Sequence, residues 1–156
     1  MGGKTLVAYA SKSGATEESA RKIADVLRSK FQLEVNFVDL SVQNISDCSQ
    51  YQNIVVGGGV RAGKVYGKAL KCLENDFTNK KVAFFVSAGQ AGNPETYEKA
   101  KLKFAENTLA KYPNIKPVSW EAFGGRMSIL GKKIFDTIDL AKVGAWAEEL
   151  GEKFNQ

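Results

Sequence analysis

Ser11-Lys12-Ser13-Gly14-Ala15-Thr16 decides how this chain reads. The run before it, Thr5-Leu6-Val7-Ala8-Tyr9-Ala10, is almost continuously apolar, as a strand covered on both faces requires. After it, Ala20, Ile23, Ala24 and Leu27 recur at helical spacing. A strand that stops at a hydroxyl-rich turn and restarts as a helix aims unpaired N–H groups and the positive end of the helix dipole at one point. The hydroxyls of Ser11, Ser13 and Thr16 beside that point complete a cradle for a phosphate. A cap on the helix, from Ser13 or Thr16, is the alternative that these six residues leave open by themselves.

The alternation begun here continues along the chain. Strands are expected at Lys4–Ala10, Leu33–Leu40, Asn53–Gly57, Lys81–Ser87 and Lys116–Phe123. Helices are expected from about Thr16 to Ser29, around Ala69, Leu70, Leu73 and Phe77, from Pro94 to about Lys111, and from about Leu140. In the third of these, Leu102, Ala105 and Leu109 should face inward, and Ser41 to Gln52 has room for one or two helical turns. The pattern predicts one α/β domain over residues 1–156, a doubly wound five-stranded parallel sheet in the order 2-1-3-4-5. Pro117 puts the fifth strand at an edge, because proline cannot donate to a ladder.

Composition narrows the chemistry. The chain has no histidine, which removes the commonest general base and excludes Ser-His and Cys-His nucleophile pairs. Cys48 and Cys72 are too few for a disulfide framework or a structural zinc site. No apolar run is long enough to cross a bilayer, and Met1-Gly2-Gly3-Lys4 lacks the apolar core of a signal peptide, so a cytoplasmic protein is expected. Gly2 does not complete a myristoylation signal, since Leu6 stands where Ser or Thr is needed. The net charge of +5 favours an acidic partner or an anionic ligand; no nucleic-acid partner is expected.

Three loops should meet at the carboxyl end of the sheet: Ser11–Thr16, Gly57–Gly67 and Ala88–Asn93. All are rich in small residues, which let backbone approach a ligand closely. Gly58-Gly59-Val60-Arg61-Ala62-Gly63-Lys64-Val65 also matches a nucleotide-triphosphate loop except at Val65, where a magnesium-binding hydroxyl is needed. It follows the third strand rather than the first, and is read as accidental.

With the phosphate turn in place, the chain resembles the flavodoxin-like FMN proteins over nearly its whole length. Their motif [Thr/Ser]-x-[Thr/Ser]-Gly-x-Thr is matched by Ser11-Lys12-Ser13-Gly14-Ala15-Thr16. Val56-Gly57-Gly58-Gly59-Val60-Arg61-Ala62-Gly63-Lys64 and Lys81–Ser87 are similar to the subgroup that includes the flavodoxin-type protoporphyrinogen oxidases. The resemblance implies FMN as cofactor. Hydroxyls of Ser11, Ser13 and Thr16 and N–H groups of Lys12, Gly14, Ala15 and Thr16 would hold its phosphate, without a metal or a lysine clamp. Val60, Arg61, Ala62, Gly63 and Lys64 would line one side of the flavin ring, and Ala88, Gly89, Gln90 and Ala91 the other. A carbonyl at Gly58 or Gly59 would accept from the flavin N5.

The chain departs from that family in two ways. Its first flavin loop offers only Tyr66 as an aromatic, and Tyr97 belongs by its spacing to the following helix. Arg61 and Lys64 stand where the family is usually acidic. A cation about 6 Å away at an effective dielectric of about 20 is worth roughly 3 kcal/mol before screening, and roughly 1.4 kcal/mol is about 59 mV for one electron. The potential is therefore expected to be less negative than in acidic relatives. Gly124–Asp139 is expected to be a short helix returning the chain to the last helix; its basic and apolar residues otherwise suit docking to an acidic redox protein, a porphyrin or a membrane face.

The resemblance implies an FMN electron carrier working between redox enzymes. An FMN-dependent oxidoreductase of the protoporphyrinogen oxidase or quinone-reducing type is the alternative, and a flavin-free domain of the same fold a third.

Overall fold

The computed structural model describes residues 3–156; the reading made at Met1 and Gly2 lies outside them. Its main sheet is built from β1 (Lys4–Ala10), β2 (Glu34–Asp39), β3 (Asn53–Arg61), β5 (Lys81–Ser87) and β6 (Pro117–Phe123). They are parallel and ordered β2-β1-β3-β5-β6, the expected doubly wound order. β4 (Lys64–Val65) pairs antiparallel with the end of β3 outside that order.

Alternate residues of each strand feed opposite layers. Val7, Val55, Ala83 and Phe85 face α1 (Ala15–Phe31) and α5 (Leu140–Phe154), where Ile23, Leu27, Trp146 and Leu150 are buried. Leu6, Ile54, Val56 and Phe84 face the other layer, made of α2 (Gly67–Cys72) and the helical stretch 97–109. That stretch is α3 (Tyr97–Ala100), a π-helical segment Lys101–Glu106, and α4 (Asn107–Leu109). No helix among the described residues is long and apolar enough to cross a membrane.

Several expectations change. β3 runs on past Gly57 to Arg61, because Lys64–Val65 folds back through Ala62-Gly63 and supplies ladder partners to Val60 and Arg61. The triphosphate-loop look-alike is therefore an antiparallel hairpin, and α2 starts only beyond its second strand, with Tyr66 preceding the first helical residue. The π-helical segment resets the side-chain register, so Leu102 is exposed while Phe104, Ala105 and Leu109 are buried. Between Ser41 and Gln52 no continuous helix forms, only isolated turns: the N–H groups of Val42 and Gln43 donate to the Asp39 carbonyl and that of Tyr51 to the Cys48 carbonyl, and the Asp39 and Asp47 carboxylates accept from N–H groups two residues on. Pro117 does open the edge strand, and the register slips beside it between Val82 and Ala83.

The largest correction concerns Gly124–Asp139. It holds no helix but an antiparallel hairpin, β7 (Arg126–Ile129) and β8 (Lys132–Asp136). Leu130 and Gly131, at φ 52° and 80°, make a two-residue turn whose handedness suits strand twist. The hairpin's base is tied to itself: Thr137 N–H donates to the Gly125 carbonyl at 2.8 Å, and Gly125 N–H to Thr137 Oγ1 at 3.1 Å.

Candidate functional site

At the carboxyl ends of β1, β3 and β5 the sheet opens into a crevice of about 120 Å³. Ser11, Lys12, Ser13, Ala15 and Thr16 border it, opposite Gly59, Val60 and Arg61, with Ser87 and Gly89 between. The turn is shaped by Gly14, at φ 91°, which precedes α1 without any side-chain cap. Its N–H donates to Ser11 Oγ at 3.1 Å. Neither Ser13 nor Thr16 caps the helix, so the first-turn N–H groups stay free for a ligand.

Close approach is built in at Gly59. A Cβ there would lie 2.9 Å from the Tyr66 ring and 3.1 Å from Thr16 Oγ1, so only glycine lets these parts meet. Gly59 also accepts the Tyr66 N–H at 3.0 Å, which commits one lone-pair direction of a carbonyl expected to serve the ligand. Lys12 places its ammonium 5.4 Å from the Tyr66 ring centroid.

A wider groove of about 510 Å³ adjoins the crevice. Val60, Arg61, Ala62 and Gly63 stand on one side, Ala88, Gly89 and Gln90 on another, with Lys103 and Phe104 of the helical stretch beyond. Arg61 lines both spaces, as do Val60, Gly89, Met127 and Phe135. The three loops read from the sequence thus meet, but not every residue named on them reaches the cavity. Gly58 is buried where a Cβ would strike Ala69 and Val65, Lys64 points from β4 into solvent, and Ala91 borders a separate cavity behind the loop.

The hairpin is what sequence reasoning missed. It brings Arg126, Met127, Ser128 and Phe135 to the crevice and Thr137 to the groove. Thr137 Oγ1 also donates to the Gly89 carbonyl at 3.1 Å. Arg126 is ion-paired with Glu18 in the first turn of α1, and its Nε lies 3.1 Å from Asp136 Oδ2. The hydrogen bond to Glu18, more than that to Asp136, holds the guanidinium proton even more firmly than usual. Partial burial opposes ionisation of Asp136, but the Ile138 N–H, Arg126 and Lys133 outweigh it and hold the carboxyl below its ordinary range. The signal that could have revealed the hairpin is Leu130-Gly131 set between two short runs that each mix basic and apolar residues.

The residues 6–149 match the family model described as a flavodoxin domain. The chain belongs to the flavodoxin domain family. Among solved structures, oxidised flavodoxin 2 from Bacillus cereus is 25% identical with a TM-score of 0.68, covering 96% of this chain and 99% of its own. Oxidised flavodoxin 1 from the same organism is 21% identical with a TM-score of 0.66, covering 96% and 97%. The rubredoxin oxygen:oxidoreductase of Desulfovibrio gigas is 15% identical with a TM-score of 0.63; the match covers 97% of this chain but 36% of that one. These likenesses under 25% speak to the fold. No curated protein sequence matches the chain.

FMN is the cofactor of the flavodoxin family, and electron transfer its work. The residues of this flavodoxin domain fit it. Ser87 Oγ is buried at the cavity with no hydrogen-bond partner among the described residues, an acceptor and donor waiting for a polar ligand. The uncapped helix start and the Gly59 approach offer N–H groups and space beside it. The aromatics at the crevice are Tyr66 and Phe135, with Phe104 on the adjoining groove, while Tyr97 starts α3, as its spacing implies, and donates its hydroxyl to Glu121.

Proposed function

We propose that this flavodoxin-domain protein is a soluble, cytoplasmic FMN carrier that passes electrons between larger redox proteins, and that its partners are acidic. The observation that carries the reading is the two-part cavity, a hydroxyl-lined helix start running into an open groove between the β3–β4 turn and the loop after β5.

In this reading Ser11, Ser13 and Thr16 give hydroxyls, and Lys12, Ala15 and Thr16 give N–H groups, to the phosphate. Gly14 contributes by shaping the turn, its own N–H being held by Ser11. Val60 to Gly63 and Ala88 to Gln90 flank the ring, and Met127 and Phe135 exclude water from its inner edge. FMN supplies the redox chemistry, so the protein needs no general base. Arg61 and Lys64 on one hairpin and Lys132 and Lys133 on the other are exposed beside the opening, with Leu130 and Ile134 exposed among them. That surface suits an acidic partner with an apolar centre.

The test is a fluorescence titration of the apoprotein with FMN. Ser13→Ala combined with Thr16→Ala should lose most of the affinity while the circular dichroism spectrum is kept; retained affinity would remove the basis of the reading. For the partner, electron uptake from a reduced acidic ferredoxin should slow steeply as salt is raised, and a salt-independent rate would rule out acidic docking.

A further inference from the structure

Charge at the phosphate turn is unbalanced in a way that the hydroxyls and N–H groups do not resolve. Glu17 and Glu18 occupy the first turn of α1, next to the point where a doubly charged phosphate monoester would sit. Lys12, the cation within the turn, lies over the Tyr66 ring. Arg126 comes from the other end of the chain and lines the same crevice as Ser11, Ser13 and Thr16. Its Nη1 lies 3.3 Å from where a Cβ on Gly14 would be, against the turn itself.

We propose that Arg126 is a ligand of the FMN phosphate, positioned over the turn by Asp136 and held there by Glu18 until the phosphate takes Glu18's place. The inference rests on FMN being bound at Ser11–Thr16. A guanidinium presents five N–H donors in a fixed fork that matches phosphate as well as carboxylate. Here Nε is given to Asp136 and Nη1 to Glu18, while Nη2 has no partner among the described residues. The fork can therefore keep Asp136 as its anchor and turn its outer edge to the ligand. A phosphate carries more charge than the single carboxylate it displaces, and Arg–phosphate pairs are among the stronger hydrogen bonds. Glu18 then acts as a placeholder that satisfies the guanidinium's outer edge until a phosphate arrives, while Asp136 holds Nε throughout.

Apoprotein and variants are titrated separately with FMN and with riboflavin, which lacks the phosphate, and binding is read from flavin fluorescence. Arg126→Gln should weaken FMN by about tenfold or more, as loss of a charged hydrogen bond implies, and leave riboflavin within about twofold. Glu18→Gln should tighten FMN several-fold by removing the competing carboxylate, again without moving riboflavin. Equal losses for both flavins in Arg126→Gln would show an arginine that only braces the hairpin, and overturn the proposal. So would FMN binding unchanged in Arg126→Gln or weakened in Glu18→Gln. Wild-type protein binding FMN no better than riboflavin would instead overturn the phosphate site itself.

Discussion

Phe135 lies across Gly89 so closely that a Cβ on the glycine would sit 2.5 Å from the ring's Cε1. This contact joins the C-terminal end of β8, at the base of the hairpin, to the loop after β5 and puts an aromatic ring where the crevice meets the groove. Gly89→Ala must push the ring away. FMN affinity should fall by about tenfold, the cost of a lost contact of roughly 1.4 kcal/mol, with little change in melting temperature because the site lies outside the core. Fluorescence titration and thermal melting decide it; an unchanged affinity would show that Phe135 does not cover the cofactor.

Gly57 makes the same kind of contact inside the sheet, where nothing can yield. A Cβ there would fall 2.1 Å from Cζ of Phe85, which is fully buried. Gly57→Ala should destabilise the fold by about 1–3 kcal/mol through overpacking. Adding Phe85→Leu should recover part of that loss in a urea unfolding series, and simple additivity of the two would argue against direct contact.

Leu130 is 99% exposed and sits at φ 52°, a conformation that costs an L-residue roughly 1–2 kcal/mol. Asparagine tolerates it far better, so Leu130→Asn should stabilise the hairpin by about 0.5–1 kcal/mol. Slower proteolysis at the tip would register the gain. In the docking proposed above this leucine is the apolar centre, so electron exchange with an acidic partner should slow at the same time, and an unchanged rate would set Leu130 outside that surface.

Acid should loosen the hairpin before the core. The Asp136 carboxyl is held below its ordinary value, so its contribution is full above the ordinary carboxylate range and fades as pH falls through the lower, folded-state value. The protection of residues 126–136 relative to the intrinsic exchange rate should therefore fall below about pH 4, and Asp136→Asn should abolish that step while lowering protection at neutral pH. Protection factors that stay constant with pH in the native protein would count against the carboxylate as the anchor.

Arg61 reaches both parts of the cavity, whereas Lys64, expected beside it, does not. The positive influence on the cofactor potential should thus follow residue 61. Arg61→Gln is predicted to lower the potential of the bound FMN by some tens of millivolts, on the order of what one screened charge supplies, and Lys64→Gln to lower it less. Potentiometric titration of the pair tests the ranking.

The sheet order and the turn at Ser11–Thr16 were legible because both are written locally. Apolar runs such as Val82–Val86 state burial on two faces, and Ser11–Thr16 carries its own turn and helix start. The hairpin was not, because Met127, Ile129, Ile134 and Phe135 suit either periodicity and Leu130-Gly131 is a weaker turn signal than Asn-Gly. The outward turn of Leu102 depends on a π-helical segment that residue preferences do not encode. The pairing of Arg126 with Glu18 joins residues far apart in the sequence, and no local pattern announces it.

The knot between Gly125 and Thr137 makes residues 126–136 a cassette. Its two ends meet each other through their own hydrogen bonds and owe nothing to the ladder of the main sheet. Such a segment can be shortened, lengthened or exchanged while the strands beneath keep their register. With the roles proposed above, evolution or an engineer could change both the ligand contacts and the docking face by editing eleven consecutive residues.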